Sequence, residues 1–80
     1  MNDDDILTKL TTIFRKFFED PTLIVTSAMT AKDVARWDSL SHVDMIVLVE
    51  ESFGIRIPVR EVVNLKNVGD LVRCVRNRVS

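Results

Sequence analysis

The sequence contains few residues that cross-link a fold or interrupt its secondary structure. Its 80 residues include one cysteine, one histidine, two glycines and two prolines. The lone Cys74 excludes an internal disulfide, and a single cysteine and a single histidine do not make a zinc site. We therefore expect no metal and no redox chemistry. The low content of glycine and proline, together with 46% hydrophobic residues, argues against a disordered or fibrous chain and favours helices.

Long apolar runs are missing as well. The longest, residues 45–49, is far shorter than the roughly 20 residues that a membrane helix needs. The acidic start at residues 2–5 is unlike the basic opening of a signal peptide. We expect a cytoplasmic protein without membrane insertion. Since a chain of this length supports one hydrophobic core, residues 1–80 are expected to form one domain and a monomer.

The net charge of −1 conceals an uneven distribution of charge. Residues 38–54 hold four acidic side chains and no lysine or arginine, whereas residues 55–80 hold six basic side chains and two acidic ones. Such asymmetry influences which partners approach which face. The basic residues of the tail have acidic neighbours and make a poor nucleic-acid footprint, so no nucleic-acid partner is expected.

Hydrophobic periodicity predicts the first half of the fold. Apolar residues at helical spacing indicate a helix over residues 5–19, with aspartates ahead of it as caps and Pro21 as its stop. Residues 21–37 show no sustained period and are predicted to form a long ordered loop. A second helix is predicted over Ser39–Phe53, with Asp38 as N-cap and Gly54 just past its end.

The second half predicts shorter elements. Residues 55–58 indicate an extended link, followed by one brief helical turn at residues 59–63. A last helix is expected from about Asn67, where Asn67 and Asp70 have the spacing of a capping box. Three longer helices, one short third helix and a long loop after the first helix predict an all-α fold, a small four-helix bundle.

Ser39 is the residue of greatest chemical interest. It lies where a loop meets a helix, and the free N–H groups and positive dipole end there favour an attached phosphate. Taken alone, it is more simply an ordinary helix-start serine. A hydrolytic triad of Ser39, His42 and Asp44 is excluded, because His42 and Asp44 are two residues apart on a helix and point away from each other.

Four blocks of sequence, in order and at matching spacing, resemble the acyl carrier protein family. They are Asp38-Ser39-Leu40, Val43-Asp44-Met45, residues 50–58 (EESFGIRIP) and Val68-Gly69-Asp70-Leu71. The resemblance covers nearly the whole chain. It implies that a phosphopantetheinyl transferase attaches 4′-phosphopantetheine from coenzyme A to Ser39, with Asp38 and Leu40 supporting the attachment site.

The resemblance implies a carrier and not an enzyme. Acyl intermediates are held as thioesters on the arm and presented to acyl-transferring, acyl-ligating or acyl-modifying enzymes of fatty-acid, lipid or polyketide-type biosynthesis. By the same match, the partner-binding residues of the second helix are Leu40, Val43, Asp44, Val47 and Glu50. An acidic rim beside exposed apolar residues suits basic patches on partner enzymes.

Three residues depart from the family pattern. Ser41 stands where housekeeping carriers usually have an acid, and Arg56 and Arg60 add positive charge near the third helix. These differences favour a stand-alone carrier of a specialised pathway. Two alternatives stay open: an aminoacyl or peptidyl carrier, which Asp38 disfavours, and a carrier-like helical adaptor that is never modified.

Three further side chains receive structural roles. We expect His42 to be solvated and without a catalytic role. Trp37 is expected to anchor the end of the loop in the core. Cys74 is expected to be a small helix residue and not a reactive thiol.

Overall fold

The computed structural model describes residues 1–79. This part of the chain contains four α-helices and no β-strand: α1 (Asp3–Phe17), α2 (Ser39–Phe53), α3 (Val59–Val62) and α4 (Val68–Arg76). A three-residue 3₁₀ turn, Ala31–Asp33, interrupts the loop between α1 and α2. The all-α fold with three longer helices, a short third helix and a long first loop is confirmed. No helix among residues 1–79 is long and apolar enough to cross a membrane.

The start of α1 differs from the prediction. The helix begins two residues earlier, and the side chain of Asn2 is its cap, accepting from the backbone N–H of Asp5 at 2.9 Å. The aspartates occupy the first turn itself, where their charge interacts favourably with the helix dipole.

The end of α1 also differs, since the helix stops at Phe17 and not beside Pro21. Glu19 follows in the left-handed region, with φ of 54°, and the N–H of Asp20 donates to the carbonyl of Arg15 at 2.9 Å. Glycine usually occupies such a position. Because this position holds Glu19, no glycine in the sequence marks the end of the helix.

The bounds predicted for α2 are confirmed at both ends, with Asp38 as N-cap and Gly54 left-handed at φ 65°. At α4 the prediction was half right. Asn67 caps the helix by accepting from the N–H of Asp70 at 2.8 Å. The Asp70 carboxylate, however, accepts from the N–H of Lys66 at 3.0 Å and does not return a bond to Asn67.

The core fills the space between α1, α2 and α4, and its largest buried residues come from all three helices. The side chains with almost no exposure are Ile6, Leu10, Phe14, Met45, Val49, Val68, Leu71 and Val75. Trp37, at the end of the first loop, is buried and packs edge-on against Phe14 with ring centroids 5.3 Å apart. The anchoring role expected of Trp37 is confirmed.

The first loop is tied to the start of α4 through backbone hydrogen bonds. The N–H groups of Val68 and Gly69 donate to the carbonyls of Met29 and Ser27 at 2.9 and 2.8 Å. A Cβ atom on Gly69 would lie 3.2 Å from the carbonyl oxygen of Ser27. Gly69 thus permits the close approach of this loop to the start of α4.

Candidate functional site

Ser39 is the first residue of α2, and its side chain is exposed. Its neighbours make the cap of the helix. One carboxylate oxygen of Asp38 accepts from the N–H groups of Leu40 and Ser41 at 3.0 and 2.9 Å. In return, Ser41 Oγ accepts from the N–H of Asp38 at 2.8 Å, which completes a capping box.

Ser41 has a second partner, since its hydroxyl donates to the carbonyl of Arg36 at 2.8 Å. Ser41 therefore secures both the helix start and the preceding loop. The sequence prediction considered Ser41 only as a missing acidic side chain, although the Asp-x-x-Ser spacing of a capping box is visible in the sequence.

The side chain of Ser39 takes no part in the capping box. Asp38 occupies the N–H groups of Leu40 and Ser41, so the N–H of Ser39 itself is the remaining donor of the first turn. The hydrogen bond from the backbone N–H of Ser41, with that of Leu40, holds the pKa of Asp38 below its ordinary value. Asp38 is consequently a carboxylate at neutral pH.

His42 is not the solvated residue that the sequence predicted. It is half-buried, and its ring stacks on Trp37 with centroids 5.9 Å apart. The indole N–H of Trp37 donates to its Nδ1 at 3.0 Å, and its Nε2 lies 3.0 Å from the carbonyl oxygen of Val62. Trp37 is five residues away in the chain, whereas Val62 is 20 residues away and is brought near by the tertiary fold.

The two bonds of His42 also bear on the chemistry of Ser39. Since each ring nitrogen has another partner, neither serves as a base for the Ser39 hydroxyl. Among residues 1–79, no three His, Cys, Asp or Glu side chains lie close enough together to hold a metal ion. The site offers an exposed hydroxyl that needs activation from another molecule.

A cavity of about 300 Å³ lies beside Ser39, between the start of α2 and the segment that follows α3. Its walls are mainly apolar, and its edge carries the charged residues Asp38 and Lys66. Residues that line it include Trp37, Ser39, His42, Val43, Val63 and Leu65. The cavity places Ser39 at the rim of an apolar space.

The residues predicted to bind partners divide into two groups. The side chains of Leu40, Val43 and Val47 are 82%, 53% and 45% exposed, and Asp44 is exposed as well. Glu50 is half-buried, and its carboxylate accepts from the N–H of Ile57 at 2.7 Å, tying α2 to the following link. The structure thus brings four of the five residues to the surface and engages the fifth.

Val59 of α3 and Val63, the residue just after it, extend this apolar surface. Val59 and Val63 are 78% and 70% exposed, and Val63 lines the same cavity as Val43. Sequence reasoning placed them on a helical turn without separating the exposed ones from the buried Val62. A single turn with three valines gives too short a pattern to assign faces.

Comparison with known proteins identifies the chain. A profile of the phosphopantetheine attachment site family matches residues 8–75. The chain belongs to this family of acyl carrier proteins. The acyl carrier protein of Acidothermus cellulolyticus is 42% identical over 77 residues, which cover 96% of this chain and 92% of the relative. That of Thermosynechococcus vestitus is 37% identical over 81 residues, covering 100% and 99%.

A solved structure agrees with the sequence relatives. The solution structure of a holo acyl carrier protein from Geobacter metallireducens superposes with a TM-score of 0.86 at 40% identity. The match covers 92% of this chain and 85% of that chain. The chain is therefore a carrier and not an enzyme, and its cofactor is covalently attached 4′-phosphopantetheine.

Cys74 is the one thiol of the polypeptide, and it is buried. Burial raises the pKa of the Cys74 thiol above its ordinary value. A guanidinium nitrogen of Arg78 lies 3.3 Å from its Sγ, and Arg78 also pairs with Glu61 of α3. Cys74 is thus part of the packing between α3 and α4, as expected of a small helix residue.

Proposed function

We propose that Ser39 is the residue that carries the 4′-phosphopantetheine arm. The observation that supports this most is the position of its hydroxyl: exposed on the first turn of α2, free of the capping box and at the rim of an apolar cavity. The positive end of the helix dipole and the Ser39 N–H favour the negative charge of a phosphodiester there. The residues present fit the cofactor.

The neighbours of Ser39 would act by holding its hydroxyl in place. Asp38 and Ser41 fix the first turn of α2 through their reciprocal hydrogen bonds, and Leu40 projects beside the attachment point. Because His42 is bonded elsewhere, the base that takes the hydroxyl proton belongs to the phosphopantetheinyl transferase. When bound, the arm supplies a terminal thiol that holds the acyl chain as a thioester.

The partner enzymes would bind the exposed face of α2. Leu40, Val43 and Val47 offer apolar contact area, and the carboxylate of Asp44 adds electrostatic attraction to basic patches. Glu50 retains only the part of its carboxylate that Ile57 does not use. The expected partners are the transferase and the acyl-transferring, acyl-ligating or acyl-modifying enzymes. The carrier itself is expected to be a cytoplasmic monomer with one domain.

A specialised pathway is the narrower part of the proposal. Since Ser41 has a capping role, this part of the proposal rests mainly on Arg56, just before α3, and Arg60, within it, both of which are exposed. Their charge is unfavourable for partners that present a basic patch to that side. Turnover by a general fatty-acid synthase equal to that of a housekeeping carrier would contradict this part.

The attachment is tested by intact-mass measurement after incubation with coenzyme A, magnesium and a broad-specificity phosphopantetheinyl transferase. We expect wild type and the matched Ser41→Ala variant to gain the mass of one arm, and Ser39→Ala to gain none. A mass gain on Ser39→Ala would place the arm elsewhere. No gain on wild type would favour the unmodified adaptor, and loading by aminoacyl but not acyl ligases would favour the peptidyl carrier.

A further inference from the structure

His42 joins three segments of the chain beside the attachment serine. It lies on α2 one turn after Ser39, its ring stacks on Trp37 from the first loop, and its Nε2 reaches the last carbonyl of α3, that of Val62. Both of its hydrogen bonds measure 3.0 Å between heavy atoms. This bridge crosses the wall of the cavity that Ser39 borders.

The partners of His42 define its protonation state. The indole nitrogen of Trp37 is a donor only, so Nδ1 must accept and carries no proton. The proton of the neutral ring is therefore on Nε2, which donates to the carbonyl of Val62. A protonated ring would point its Nδ1–H at the Trp37 N–H, and the bond between them would be lost.

Besides the buried side chain of Val62, few contacts hold α3 in place. The helix has four residues, its N-cap Pro58 makes no side-chain hydrogen bond, and Val59 and the following Val63 are largely exposed. The pair between Glu61 and Arg78 ties it to the residues that follow α4. The bond to His42 is the tie on the side of the cavity.

We infer that His42 is a positioning residue for α3: its neutral ring holds α3 against α2, and this sets how far the cavity beside Ser39 opens. The link to α3 is the bond from Nε2–H to the Val62 carbonyl, and the bond from the Trp37 indole to Nδ1 fixes the tautomer that makes it.

The consequence for cargo rests on the proposed attachment at Ser39, whereas the bridge itself exists without the arm. The two are tested separately, because the tautomer and the mobility of α3 are measured on the apo protein. Failure of the mass test at Ser39 would leave those measurements interpretable. Failure of the bridge would leave the attachment untouched.

The first experiment reads the tautomer of His42 by NMR of the ¹⁵N-labelled imidazole, which is simple because the chain has one histidine. At pH 7.5 we expect the proton on Nε2 alone, together with a hydrogen-bonded indole N–H signal from Trp37. A ring protonated on Nδ1, or one that exchanges between the two tautomers as a free imidazole does, would overturn the inference.

The second experiment compares hydrogen exchange of the Val62 and Val63 amides in wild type, His42→Gln and His42→Asn. The Gln amide can replace the donor to Val62 and the Asn oxygen can replace the acceptor for Trp37, and neither titrates. At pH 7.5 we expect His42→Asn to exchange about fivefold faster than wild type, the effect of losing one hydrogen bond. His42→Gln should exchange at about the wild-type rate.

The control adds a histidine at an exposed site of α2, as Glu51→His in the His42→Asn background. It should not restore the slow exchange of α3. Restoration by this control, or equal exchange in wild type and His42→Asn, would overturn the inference.

The third experiment follows cargo on the holo protein loaded with a medium-length saturated acyl chain. A cavity that His42 no longer holds closed should expose the thioester, so hydroxylamine should cleave it about fivefold faster in His42→Asn than in wild type at pH 7.5. Equal cleavage, with α3 loosened, would overturn the link between His42 and the cargo.

Discussion

Asp38 and Ser41 cap each other at the start of α2, with the carboxylate of one and the hydroxyl of the other exchanging backbone hydrogen bonds of 2.9 and 2.8 Å. We expect Ser41→Ala to lower the free energy of unfolding by about 1 kcal/mol, the usual effect of losing such a cap. Ser39→Ala should change it much less, because Ser39 takes no part in the cap. Urea unfolding of both variants makes the comparison, and equal losses would contradict it.

The Asp38 carboxylate should contribute to acid sensitivity. Its folded-state pKa lies below the ordinary value of 3.8, chiefly because the N–H of Ser41 donates to it. Its stabilising effect is therefore fully present above pH 3.8 and is lost as the pH falls below that value. Urea unfolding at pH 6 and pH 3 should show a smaller loss of stability for Asp38→Asn than for wild type. The same acid sensitivity in both proteins would argue against this assignment.

Truncation of two apolar residues of α2 should affect stability differently, because one is exposed and the other is buried. Leu40 is 82% exposed, so Leu40→Ala should leave the melting temperature nearly unchanged while slowing modification by the transferase. Met45 is fully buried, and Met45→Ala should lower the free energy of unfolding by about 2–5 kcal/mol. Circular dichroism and the mass assay measure both effects. Normal modification of Leu40→Ala at limiting transferase would contradict a partner role for Leu40.

The left-handed end of α1 should be improved by glycine. Glu19 has φ of 54°, a conformation that costs a residue with a Cβ atom about 1 kcal/mol. Glu19→Gly is expected to raise the melting temperature by roughly 4 °C, whereas Glu19→Ala removes the same charge and keeps the strain. Gly54→Ala, at a φ of 65° with open space around it, should destabilise. Thermal melts that do not separate Glu19→Gly from Glu19→Ala would refute the assignment.

The buried thiol of Cys74 should not react with alkylating reagents in the folded protein. Because burial raises the pKa of Cys74, iodoacetamide at pH 7.5 should alkylate the arm of the holo protein and leave Cys74 unmodified until urea unfolds the chain. Peptide mapping with and without urea locates the label. The apo protein offers the control, since native apo protein should take up no label at all. Alkylation of native apo protein would show that Cys74 is accessible.

Much of the fold could be predicted because it depends on interactions close in sequence. The bounds of α2 follow from an aspartate cap and a left-handed glycine, and both act within a few residues. The end of α1 escaped prediction because a glutamate occupies the position where glycine is usual. The capping-box bond predicted from Asp70 to the N–H of Asn67 was wrong, because the N–H of Lys66 is also within reach and is the one that the carboxylate accepts from.

The sequence by itself determined the family, the helical order and the location of Ser39 at a helix start, since periodicity, caps and motif spacing are local properties. The tertiary structure alone decided which apolar residues stay exposed. It placed Val59 and Val63 at the surface and buried Met45 and Val49. It also joined His42 to Val62, which is 20 residues away in the chain. Such contacts arise from how the helices pack around the core, and no local pattern encodes that arrangement.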